Sequence, residues 1–172
     1  RNNMMKLSII TSFLSQTKDR FHEYNNPLDL DQKFALLSTI EGYSGVEIVH
    51  PYEVNDAAET KAALEKYNLS VSAVNVNVKA EPEFRNGGLT SHNADVRRKA
   101  VQFIKDAKDF ASGIGADKVT CCPLGDGYEF AFQYDYARTW KYLVECFGEA
   151  GNYKTEVPLH IEYKPSETRG RC

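Results

Sequence analysis

Five short apolar runs alternate with four amphipathic ones along the chain, and this alternation limits the fold more than any other feature. Residues 6–13, 46–50, 69–78, 117–123 and 158–164 read as strands. In "LSVSAVNVNV" (69–78), Val74, Val76 and Val78 share one face while Asn75 and Asn77 share the other, which is the two-residue period of a half-buried strand. Residues 28–40, 57–68, 94–115 and 134–153 carry helical spacing instead. In 94–115, the apolar positions Val96, Ala100, Phe103, Ile104, Ala107 and Ala111 form one stripe before Gly113 and Gly115. Strand–helix alternation demands parallel strands joined by helical crossovers.

Two architectures satisfy that demand: an open doubly wound sheet and a (β/α) barrel. No Gly-x-Gly-x-x-Gly follows the first strand, and no phosphate-binding Gly-x-x-x-x-Gly-Lys loop occurs. Polar residues cluster where strands end: His50, Asn77, and the pair Glu162 and Lys164. A barrel gathers its chemistry at that rim. The expected fold is therefore α/β, a partial (β/α) TIM barrel of about five parallel strands, forming one domain over residues 1–172.

Composition excludes some partners. A formal net charge of −3 and a pI near 5.8 give no electrostatic basis for binding nucleic acid or an acidic membrane surface. "MMKLSIITSFLS" places a lysine before an apolar stretch, as signal peptides do, but Ser8, Thr11 and Ser12 interrupt it and it reads better as the first strand. No apolar run approaches membrane-spanning length. The spacing of Cys121, Cys122, Cys146 and Cys172 matches no zinc or redox motif, so free thiols in a reducing, cytoplasmic setting are expected.

The last strand carries the sharpest signal. Glu162 and Lys164, two positions apart, face the same way, with His160 one step deeper. Charges turned into a barrel lumen need partners. A structural ion pair satisfies that need; so does a metal-binding carboxylate beside an ammonium that polarises a carbonyl.

"IEYKPSETRG" resembles the Glu-Pro-Lys-Pro-Asn-Glu-Pro-Arg-Gly signature of xylose isomerases, sharing Glu162, Lys164, Pro165, Glu167, Arg169 and Gly170, with Tyr163 in place of the first proline. "GVEI" (45–48), "GADKV" (115–119) and "PLGDGYEFAFQYDY" (123–136) are similar to segments of the wider xylose-isomerase-like superfamily of sugar isomerases and epimerases. The resemblance implies that Glu162 is a metal ligand and that Lys164 polarises the sugar oxygen at the reacting carbon. It also implies an oxygen-rich site for Mn²⁺ or Mg²⁺, completed by an Asp, a His and a second acid from later strands. His50, Arg85, Asp126 and Tyr128 are candidate substrate-binding residues around the mouth. Trp140 is expected in the core, and the lysines of 94–115 on a solvated face.

A complete barrel has eight strands, so five imply a fragment ending after the fifth. The implied function is metal-dependent interconversion of aldose and ketose, or of epimers, in a sugar or sugar phosphate, with this chain alone inactive. Two alternatives are a non-catalytic, self-associating remnant of the fold and a metal-dependent nuclease of the endonuclease IV type. Homo-oligomerisation that covers the open barrel edges is expected.

Overall fold

The valine-rich runs lie at the centre of the molecule. The computed structural model describes residues 5–123, 126–128 and 130–163. Seven strands are described: β1 (Leu7–Ile10), β2 (Thr17–Lys18), β3 (Glu23–Tyr24), β4 (Tyr43–His50), β5 (Ser70–Val76), β6 (Val119–Cys121) and β7 (Leu159–Ile161). Four α-helices accompany them: α1 (Leu30–Ser38), α2 (Ala57–Lys66), α3 (Ala94–Ile114) and α4 (Tyr136–Asn152). The main sheet runs β1-β4-β5-β6-β7, and every neighbouring pair in it is parallel. Sequential parallel strands with helical crossovers make this part of a (β/α) barrel, as expected.

Register fixes which side chains face the helices. Ile48 pairs with Val74, and His50 with Val76; Val74 pairs with Val119, and Val119 with Leu159. Val46, Ile48, Val74, Val76, Val119 and Cys121 on this face are fully buried. Against them α3 lays Ala100, Ile104, Ala107, Ala111 and Ile114. The helix begins at Asn93, whose side chain accepts the Asp95 N–H at 2.8 Å. It ends at Gly115, whose φ of 81° is a left-handed conformation that glycine adopts without strain. Asp29 and Gln32 start α1 with reciprocal side-chain–backbone bonds of 2.8 and 3.0 Å.

Two expectations are overturned here. Lys108 is fully buried rather than solvated. Its stem crosses the α3–α4 interface, and Nζ donates to the carbonyls of Gly151 (3.1 Å) and Tyr153 (2.6 Å). It thereby satisfies acceptors that the end of α4 leaves open. Trp140 is 59 % exposed, because the buried stripe of α4 runs through Thr139, Leu143, Cys146 and Ala150 instead. Tyr136, Trp140 and Val144, four residues apart, form an outward apolar stripe.

The polar loop after β1 contains a small antiparallel hairpin, β2–β3, not expected from the sequence. Asp19 organises its turn by accepting the N–H groups of Phe21 and His22, each at 2.7 Å. At the ends of β1 and β4, Glu53 accepts from Lys33 Nζ, from Thr11 Oγ1 and, at 3.2 Å, from the Val49 N–H. The Lys33 and Glu53 side chains are 8 % and 15 % exposed, so this ion pair ties α1 to two strand ends from inside. Cys121, Cys122 and Cys146 are free thiols and buried, as expected; Cys172 lies outside the described residues.

Candidate functional site

The face of the sheet away from the helices is polar. Glu47, Asn75 and Thr120 lie on adjacent strands with their side chains bonded to one another. Glu47 Oε1 accepts from Asn75 Nδ2 at 2.9 Å and from Thr120 Oγ1 at 2.6 Å, while Asn75 Nδ2 also donates to the Thr120 oxygen at 3.1 Å. Thr120 is in register with His160, which extends the polar row to the last strand. Ile10, Glu47, Thr120, His160, Glu162 and Tyr163 help line an open concavity of about 350 Å³ on this face. The Glu162 N–H donates to the Cys121 carbonyl at 2.9 Å, so pairing with β6 continues past Ile161 and holds Glu162 beside the row.

This arrangement offers a fixed carboxylate, a fixed hydroxyl and amide, and two exposed titratable side chains on one concave wall. Its chemistry suits a hydroxyl-rich ligand, because Glu47 and Glu162 accept and Asn75 and Thr120 orient. Glu47 was not singled out from the sequence. The signal was its place in "GVEIV", a lone acid between buried valine and isoleucine, on the face opposite them.

The other expected residues separate into groups. Arg85 and Tyr128 share a second, more open crevice of about 640 Å³ with Glu83, Asn86, Ser91 and His92. The Tyr128 ring stacks on Tyr134 at 5.4 Å and meets the His92 ring edge-on at 5.3 Å. Asp126 is buried beneath this crevice, only 4 % exposed. Burial pushes its carboxyl above the usual carboxylate range, while hydrogen bonds from Thr90, Leu89 and Gly88 pull it down. Lys164, with the rest of 164–172, lies outside the described residues.

His50 follows the strand phase of Ile48 and points under the helices. Its ring packs against Phe110 of α3, centroids 5.0 Å apart, away from the polar wall. Among the described residues Nδ1 has no hydrogen-bond partner, and burial lowers the imidazole pKa from its ordinary 6.5, opposed by the charge of Asp106. A depressed histidine contributes stability that is fully present above the unfolded value and lost as pH falls through it. The urea midpoint should therefore hold between about pH 7 and 8 and decline as the pH falls below about 6.5, towards the lowered folded-state value. His50→Phe should flatten that decline. His22, His92 and His160 are exposed; an unchanged slope in the His50 variant would assign the effect elsewhere.

Sequential parallel strands, helices on one face and a polar inner wall at the strand ends define this chain as part of a (β/α) barrel. The profile of the xylose isomerase-like TIM barrel matches residues 34–170, and the chain belongs to that family. Among solved structures, a D-tagatose 3-epimerase-like protein aligns with a TM-score of 0.70 at 17% identity, covering 96% of this chain and 55% of its own. D-psicose 3-epimerase from Clostridium cellulolyticum H10 gives 0.66 at 18% identity, with 92% and 52% covered. An AP endonuclease of family 2 from Brucella melitensis gives 0.61 at 17%, with 92% and 54% covered. The chain thus spans about half the length of these structures, and at such identities the likeness is one of fold. Among the described residues, no helix is long and apolar enough to cross a membrane.

Proposed function

We propose that this chain supplies one wall of a metal-dependent sugar isomerase or epimerase site. The observation that carries this reading is the bonded row Glu47–Asn75–Thr120, continued by His160 and Glu162, on the inner wall of this family's fold. A row of fixed acceptors and donors suits a polyol, and the net charge of −3 disfavours the phosphate backbone of the nuclease alternative.

In this reading Glu162 is one ligand of Mn²⁺ or Mg²⁺, and Lys164 is a donor to the substrate oxygen at the reacting carbon. Among the described residues, no three His, Cys, Asp or Glu side chains converge on a point where they could hold a cation. Glu162 fits the chemistry of a hard cation, but the described donors do not make a full set, and companions from further strands are required. When bound, the metal would stabilise charge on sugar oxygens. Arg85 and Tyr128 border the mouth as candidate substrate contacts, and a cytoplasmic setting suits the free thiols. The deciding assay is conversion of a panel of ketoses and aldoses with Mn²⁺, plus abasic DNA, by this chain and by a chain extended through an eight-stranded barrel. Sugar turnover by the extended chain supports the reading; cleavage of the DNA without sugar turnover overturns it.

A second reading rests on the edges. Among the described residues β1 and β7 each leave one side unpaired in the five-stranded sheet, Ile161 of β7 is exposed, and so are Trp140 and Val144 of α4. Unpaired parallel edges and exposed apolar side chains favour association. The chain by itself is expected to sediment as a dimer or larger species at micromolar concentration. A compact monomer would contradict self-association.

A further inference from the structure

The buried carboxylate under the crevice has an unusual set of partners. Asp126 Oδ2 accepts the N–H groups of Gly88 (3.2 Å) and Leu89 (2.9 Å), while Oδ1 accepts the N–H of Thr90 (3.1 Å) and the Thr90 hydroxyl. Among the described residues it forms no salt bridge. Three successive backbone N–H groups converging on one carboxylate make a concave anion site. Leu89 is fully buried and Thr90 is 2 % exposed, so water does not compete for these donors.

The surrounding chain is shaped to this carboxylate. Gly87 has φ +97°, and a Cβ there would lie 2.5 Å from Thr90 Oγ1 and 2.8 Å from Asp126 Oδ1. Only glycine lets the backbone pass so close. From below, the Cys146 thiol donates to the Leu89 carbonyl at 3.4 Å; burial pushes that thiol up to about 11, so it stays protonated as a donor. At the loop's other end, Arg97 donates to the carbonyls of Ser91 (2.6 Å) and His92 (3.2 Å). Before it, Glu81 accepts from Tyr52 (2.5 Å) and Lys99 (2.9 Å).

We propose that residues 88–90 form an anion site whose resident ligand is the chain's own Asp126 carboxylate, making Asp126 the positioning residue that locks the β5–α3 loop to the β6–α4 loop. Arg85 and Tyr128 sit on opposite sides of that lock, so the crevice they share keeps its shape only while it is closed. The anchoring holds whatever substrate the mouth accepts, and it is read without an activity assay.

The test is amide hydrogen exchange on Asp126→Gly and Asp126→Asn. Removing the carboxylate should speed exchange at 88–90 by about 10- to 100-fold, the loss of hydrogen bonds to a charged group, with β4 and β5 unchanged. In Asp126→Gly the emptied site should take up acetate or formate, and either should restore protection where equal chloride does not. In Asp126→Asn the amide still fills the space, so exchange should be fast and neither anion should rescue it. Wild-type protection in the asparagine variant would overturn the proposal. So would fast exchange in the glycine variant that acetate and formate leave unchanged. If the glycine variant does not fold, the asparagine variant alone decides the positioning role.

Discussion

In a barrel extended to eight strands, Glu162→Gln is expected to abolish both Mn²⁺ binding and sugar turnover. The substitution keeps size and hydrogen-bonding reach but removes the negative charge that a hard cation requires. Glu162 is held by its own N–H bond to the Cys121 carbonyl, so the exchange should leave β7 paired and the fold intact. Lys164→Met separates the two proposed roles. It should leave the cation's affinity within a factor of two or so, yet lower kcat by about 10²–10³-fold, the typical effect of losing one donor to a developing oxyanion. Titration calorimetry with Mn²⁺, run beside a kinetic assay, checks both. Full turnover by the glutamine variant would remove Glu162 from the site, and a parallel loss of metal and kcat in Lys164→Met would remove the division of labour.

The largest stability effect is expected at Glu53. Glu53→Ala would strand the Lys33 ammonium with its side chain 8 % exposed, and would also take the acceptor from Thr11 Oγ1 and the Val49 N–H. Breaking a buried pair from one side costs about 3–5 kcal/mol, a large share of the total of about 5–15 kcal/mol that a domain possesses. The urea midpoint should fall steeply, with the m-value unchanged. Lys33→Met combined with Glu53→Leu should recover much of that loss, because the cost lies in the unmatched charge rather than in the missing attraction. A single-variant loss below about 1 kcal/mol, the range of surface pairs, would show that water reaches the pair.

The fold was legible because the strands and α3 repeat their pattern over many residues. Val74, Val76 and Val78 against Asn75 and Asn77 settle both a strand and its two faces, and the structure sets Asn75 on the inner wall. Features that depend on a distant partner were not legible. Lys33 finds Glu53 twenty residues away, and Lys108 finds carbonyls more than forty residues on; nothing local marks either lysine as interior. Trp140 was misplaced because a large aromatic in a helix defaults to the core, whereas the rotation of α4 is set by smaller residues at 139, 143, 146 and 150. Asp126 was expected as a candidate substrate contact at the mouth, and the three N–H groups that enclose it belong to a loop whose path only the tertiary structure fixes.

The order β1-β4-β5-β6-β7 also bears on how the molecule comes into being. Each strand of the main sheet pairs with the one made just before it, counting past the hairpin. The stretches to be closed run from Ile10 to Tyr43, His50 to Ser70, Val76 to Val119 and Cys121 to Leu159. Loop-closure entropy grows only as the logarithm of length, so the longest of these costs less than about 1 kcal/mol more than the shortest. No step therefore has to wait for a remote segment. The sheet can lengthen from its leading edge as the polypeptide leaves the ribosome, with every new strand–helix unit adding to a surface already assembled.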